Sequence, residues 1–155
     1  MILMTRMTAT LALTLTLVSA GTSAFAHGDE PHPNTLKAVQ GGQLGVAGSY
    51  SYELVIAKGA KEGVESPVVV YVTDHAGKKI PTAGASGTAT ILAGKQKYAV
   101  VLQPDGDNRM KGVAKYAVAP DMKVLIAVKL SGSPTEQTRF TPLAASKDGH
   151  TDHTH

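Results

Sequence analysis

Between residues 40 and 143 the apolar residues come in short runs, each ended by glycine, proline or aspartate, and no segment carries a convincing helical period. That pattern asks for strands joined by tight turns. Residues 50–58, YSYELVIAK, alternate. Tyr50, Tyr52, Leu54 and Ile56 share one face, with Ser51 and Glu53 on the other, as in a half-buried strand whose Glu53 is solvated. Residues 68–73, VVVYVT, read as a central strand buried on both faces. Asp74, His75, Ala76, Gly77 and Lys78 form a turn, with Gly77 free to take positive φ.

Residues 87–92 and 96–103 flank Ala93-Gly94-Lys95 and read as a hairpin. A turn over residues 104–108 leads to strands at 109–118 and 123–130, split by Ala119-Pro120-Asp121. A last short strand is predicted over residues 138–141. The fold class that follows is all-β: a small β-sandwich or open barrel of about seven short strands.

The ends of the chain read differently. Arg6 is the only charged residue among the first 28, and residues 7–18 are apolar but threaded with threonine. Small residues follow, closing on Ala24-Phe25-Ala26. A positive start, a short apolar stretch and an A-x-A ending predict a cleavable secretory signal over residues 1–26 and a periplasmic address. The apolar run is too short for a spanning helix of about 20 residues. No later stretch replaces it, so no membrane insertion of the mature chain is expected.

Cleavage leaves residues 27–155, a length of 129 that suits one domain. Residues 27–39 are predicted to be a flexible leader, 40–143 the β domain, and 144–155 a disordered tail. An exported domain is free to use disulfides, yet this chain has no cysteine. Stability must come from packing, and thiolate metal sites and thiol catalysis are excluded. Removing Arg6 from the 15 basic residues leaves 14 against 12 acidic ones, a net charge of +2. These charges are well mixed along the chain, with no dense basic stripe and no aromatic platform for bases, so nucleic acid is not expected as a partner.

Catalysis finds no motif: G-x-S-x-G, P-loop, G-x-G-x-x-G and H-E-x-x-H are all missing. No enzyme activity and no organic cofactor are predicted. Metal binding has more behind it. The mature histidines are His27, His32, His75, His150, His153 and His155, five of them in the two polar tails. His150, Asp152, His153 and His155 cluster in the C-terminal tail, and imidazole suits Cu(II) and Zn(II). After cleavage, His27 would pair its α-amine and ring nitrogen as a chelate, with Asp29 and His32 near it. His75 is foremost a turn residue. Met110 and Met122, the only mature methionines, are soft ligands by chemistry but core fillers by habit.

Several stretches of the middle zone occur in an order that is familiar: Gly41-Gly42-Gln43, YSYELV over residues 50–55, YVTDHAG over 71–77, TAGASGTAT over 82–90 and Asn108-Arg109-Met110-Lys111-Gly112. Together they resemble the small periplasmic β domain of adaptor subunits from heavy-metal efflux pumps of the resistance-nodulation-division class. The mature start, HGDEPH, is similar to the histidine-rich leaders of such proteins. The resemblance covers roughly residues 40–130 and implies a metal-resistance setting, with an efflux adaptor as a partner. Family members often have His-Gly-Gly where this chain has Gln40-Gly41-Gly42, and a histidine where it has Ser51. Those are the family domain's ligands, so the resemblance implies a weakened site inside the fold; Glu53 and His75 match the pattern. The helical hairpin and lipoyl-like segments of a full adaptor are missing, so bridging a pump to an outer-membrane channel is not expected.

The leading expectation is a periplasmic metal-binding or metal-resistance accessory protein. It would sequester or hand over a divalent ion such as Cu or Zn through its tails. The alternative is a non-catalytic module that docks on an efflux adaptor or other envelope partner through a strand edge.

Overall fold

The computed structural model describes residues 36–144. They are all-β: eight antiparallel strands in one nearly closed barrel, with no helix among the described residues. The strands are β1 (Gln43–Ala47), β2 (Tyr50–Ile56), β3 (Ser66–Asp74), β4 (Ser86–Ala93), β5 (Gln96–Pro104), β6 (Arg109–Ala114), β7 (Lys123–Lys129) and β8 (Thr135–Phe140). Around the barrel they run β1-β2-β3-β6-β5-β4-β7-β8.

Register follows from the side-chain alternation. Tyr52 faces Val72, Leu54 faces Val70 and Ile56 faces Val68, so the apolar sets of β2 and β3 fall on one inner face. From the far side β4 and β7 add Ala89, Ile91, Val124 and Ile126, all at most 1% exposed. The two methionines are fully buried among them, so they fill the core rather than offering thioethers. The hairpin joining β4 to β5 turns in two residues, Gly94 and Lys95, between the partners Ala93 and Gln96. Gly94 has φ +55°, the positive value that a two-residue hairpin turn requires at its first position.

The structure departs from the expected elements in four places. A strand not foreseen, β1, lies over Gln43–Ala47. Gly45 interrupts its apolar pattern and weakens its strand signal; pairing with β2 supplies what propensity lacks. The expected strand at 68–73 is buried on its inner face only: Val68, Val70 and Val72 are fully enclosed, while Val69, Tyr71 and Thr73 are half-buried. The expected strand at 109–118 stops at Ala114. Beyond it Tyr116 turns its ring into the core, donates its hydroxyl to the Pro67 carbonyl at 2.9 Å and accepts from the Ala57 amide at 3.1 Å. Finally, β8 begins at Thr135, three residues earlier than the predicted 138–141, because its whole length pairs with β7.

β1 and β8 meet at a seam without a backbone ladder. Side chains close it. The Thr141 amide donates to Gln43 Oε1 at 2.8 Å, and the ring of Phe140 packs over Gly45. At the other end Glu136 accepts from the Tyr52 hydroxyl at 2.9 Å and from the Ser49 amide at 3.3 Å.

Candidate functional site

The outer surface of β1, β2 and β3 carries the residues that the sequence singled out inside the fold. Leu44, Glu53 and Tyr71 form one cross-strand row, and Val46, Ser51 and Thr73 the next. Alternation put Ser51 and Glu53 on this face as expected, but it did not leave them in water. Glu53 is 4% exposed and Ser51 fully buried. The solvated Glu53 of the sequence reading is therefore corrected. The chain entering the barrel folds over β2, and Glu53 grips it.

That grip is specific. Glu53 Oε1 accepts from the Gln40 amide at 2.7 Å and the Gly42 amide at 2.9 Å, and Oε2 accepts from the Val39 amide at 2.9 Å. Three backbone donors around one carboxylate satisfy a buried charge without a cation. Gly42 permits the approach: a β-carbon there would lie 2.2 Å from the Leu54 carbonyl oxygen, so no side chain fits. Gly41 has φ +75°, which glycine adopts freely, so backbone geometry accounts for both glycines.

Beside Glu53 lies an open cleft of about 420 Å³, walled by Leu36, Val39, Leu44, Tyr71, Lys79 and Asn108. Asn108 is held by donation from its Nδ2 to the Val72 carbonyl at 3.0 Å. Ser51 Oγ is the one buried side-chain polar atom among the described residues that has no hydrogen-bond partner. The positions that the resemblance marks, Gln40, Ser51 and Glu53, therefore gather on one face. Glu53 holds Gln40 by its backbone, and the Gln40 side chain is exposed.

His75 is exposed in the turn after β3, as expected of a turn residue. Its Nε2 donates to the Gly48 carbonyl at 3.1 Å, which ties that turn to the β1–β2 turn. Asp74 organises its own end of the loop: Oδ1 accepts from the amides of Ala76 and Lys78. Among the described residues no three His, Cys, Asp or Glu side chains converge as a metal site would require. His27, His32, His150, Asp152, His153 and His155 lie outside the described residues, as do residues 1–26.

Glu136 escaped the sequence reading, because a lone glutamate in a short polar strand gives no signal of burial. Here it points inward, between the two edges of the barrel. Burial, reinforced by the hydrogen bond to Glu136 and its charge, holds the Tyr52 hydroxyl far above the ordinary tyrosine range. Burial likewise raises Tyr116, against a smaller lowering by the Ala57 amide. Neither phenol is poised to exchange protons near neutrality.

No protein-family model matches the chain, and no curated protein matches it either.

Proposed function

We propose that this protein is a periplasmic accessory factor in heavy-metal handling, which binds a divalent ion such as Cu(II) or Zn(II) and catalyses nothing. One observation carries the reading: within residues 150–155 stand three histidines and an aspartate, His150, Asp152, His153 and His155, with His27 and His32 at the other end of the mature chain. Imidazole and carboxylate on a short polar tract can wrap a divalent cation, and borderline metals prefer that donor set. The metal is cargo, held by the tails. In the barrel, Glu53 is engaged by three amides and Nε2 of His75 by a carbonyl, which leaves them poorly suited to hold an ion. The setting and an efflux adaptor as recipient rest on the resemblance of the strand and turn motifs.

The test is calorimetric titration of residues 27–155 with Cu(II) and with Zn(II), against a variant lacking residues 147–155 and carrying His27→Ala and His32→Ala. Mass spectrometry of periplasmic protein first checks that His27 is the N-terminal residue. Binding near neutral pH should fall away as pH drops through about 6.5, the ordinary histidine pKa, because only neutral imidazole coordinates. The variant should lose most of the binding and keep its melting temperature. Equal affinity and stoichiometry in both chains would move the site into the barrel; no binding in either would refute metal handling.

A further inference from the structure

The charges that are mixed in sequence are sorted by the fold. On the outward positions of β5, β4, β7 and β8 stand Lys97, Lys123, Lys129 and Arg139, all exposed. No carboxylate stands at an outward position of these four strands. The eight acidic residues of the described chain are elsewhere: Glu53 is buried on β2, Glu62 and Glu65 precede β3, Asp74 ends it, and Glu136 points into the barrel. Asp105, Asp107 and Asp121 sit in the loops at the two ends of β6; Asp105 pairs with Arg109 at 2.9 Å, and Asp121 accepts from the Gly94 amide.

Aliphatic groups lie between the cations. Leu92 has Lys97 on one flank and Lys123 on the other, and the next row runs Ala99, Thr90, Leu125, Arg139 across four strands. Leu92 is 45% exposed, and Val101 on β5 is more so. A shallow groove of about 500 Å³ follows this end of the sheet, floored by Leu92 and Leu125 and flanked by Lys123 and Arg139.

We propose that this face is a docking surface for an anionic phospholipid bilayer, with the lysines and Arg139 over the headgroup phosphates and Leu92 and Val101 at the headgroup–acyl boundary. Charge complementarity selects the occupant, since spread point charges with protruding aliphatics are what an anionic lipid surface attracts. A protein interface fits less well. Its core is depleted in lysine and anchored on tryptophan, tyrosine or arginine, and the outward positions of these strands hold no aromatic side chain. The proposal is independent of metal binding, because none of these residues is a ligand in that reading.

The test is co-sedimentation of residues 27–155, with a chelator present, on vesicles of phosphatidylcholine containing phosphatidylglycerol and on vesicles of phosphatidylcholine alone. One variant carries Lys97→Glu, Lys123→Glu and Arg139→Glu. A charge-matched control carries Lys58→Glu, Lys61→Glu and Lys78→Glu, all exposed and away from the face. Circular dichroism and melting confirm that both fold. Each basic residue near an anionic surface multiplies partitioning about fivefold and each introduced glutamate is repelled, so the face variant should bind more weakly than wild type by about a hundredfold or more. The control should lose clearly less, and raising salt from about 0.05 M to about 0.5 M should release the wild type. Equal binding to neutral vesicles, or equal loss in face variant and control, would overturn the proposal. No binding to anionic vesicles at low salt would also overturn it and leave the face to an acidic protein.

Discussion

Replacing Glu53 by alanine removes the acceptor for three amides at once. Hydrogen bonds to a charged group contribute about 1.5–3 kcal/mol each when both partners are buried, which sets a gross loss of about 5–9 kcal/mol. The entering segment need not stay in place, however. Val39 and Gln40 are exposed, so their amides can turn to water once the carboxylate is gone. Freeing these two residues also recovers about 1–2 kcal/mol of conformational entropy each, about 2–4 in all. The net loss should therefore be about 2–4 kcal/mol, a large part of a typical total of about 5–15. Glu53→Gln is the sharper probe. An amide oxygen can still serve Gln40 and Gly42, but its nitrogen would then face the Val39 amide, donor against donor, for a loss of about 1–2 kcal/mol. Urea denaturation gives the stability, and amide hydrogen exchange at Val39, Gln40 and Gly42 gives the local effect. Unchanged exchange at those amides in Glu53→Ala, with unchanged stability, would refute the clamp.

Val70 is fully buried at the middle of β3, so Val70→Asp should unfold the barrel, costing several kcal/mol for an unpaired charge, and far-ultraviolet circular dichroism would show the β signal lost. Tyr52 and Tyr116 have folded pKa values raised above their unfolded value of about 10. The stability they contribute is present in full below that pH and is lost as pH rises above it, because the unfolded chain gives up those protons first. Phenolate absorbance should accordingly report these two residues only as the barrel unfolds in alkali; their ionisation in a folded chain would contradict the burial argument.

Local pattern carried a good part of the fold. The alternation of β2, the β-branched run of β3, the Gly94-Lys95 hairpin and the Asp74–Gly77 turn were each legible, because side-chain period and turn chemistry are short-range properties. The candidate tail ligands were legible too, as composition. Strand ends were not: β6 stops where Tyr116 finds a carbonyl and an amide on two other segments, which no window of sequence contains. β1 was missed because its glycine hides the pattern that its partner strand restores.

What lies over a strand, and which strands lie beside each other, only the tertiary structure decided. A period of two says which side of β2 Glu53 is on, but not that the chain before β1 returns to cover it. The same holds for charge. Lysines scattered through β4 to β7 and the connections between them read as an ordinary solvated mixture along the chain. The strand order β5-β4-β7-β8 sets the outward positions of Lys97, Lys123, Lys129 and Arg139 on one sheet, while the acidic residues fall in loops, on β2, at the end of β3 or inside the seam. Sequence determined the face that each side chain takes, because alternation is covalent geometry. Adjacency came from pairing over long separations, and with it the clamp at Glu53, the seam at Glu136 and a surface of one sign.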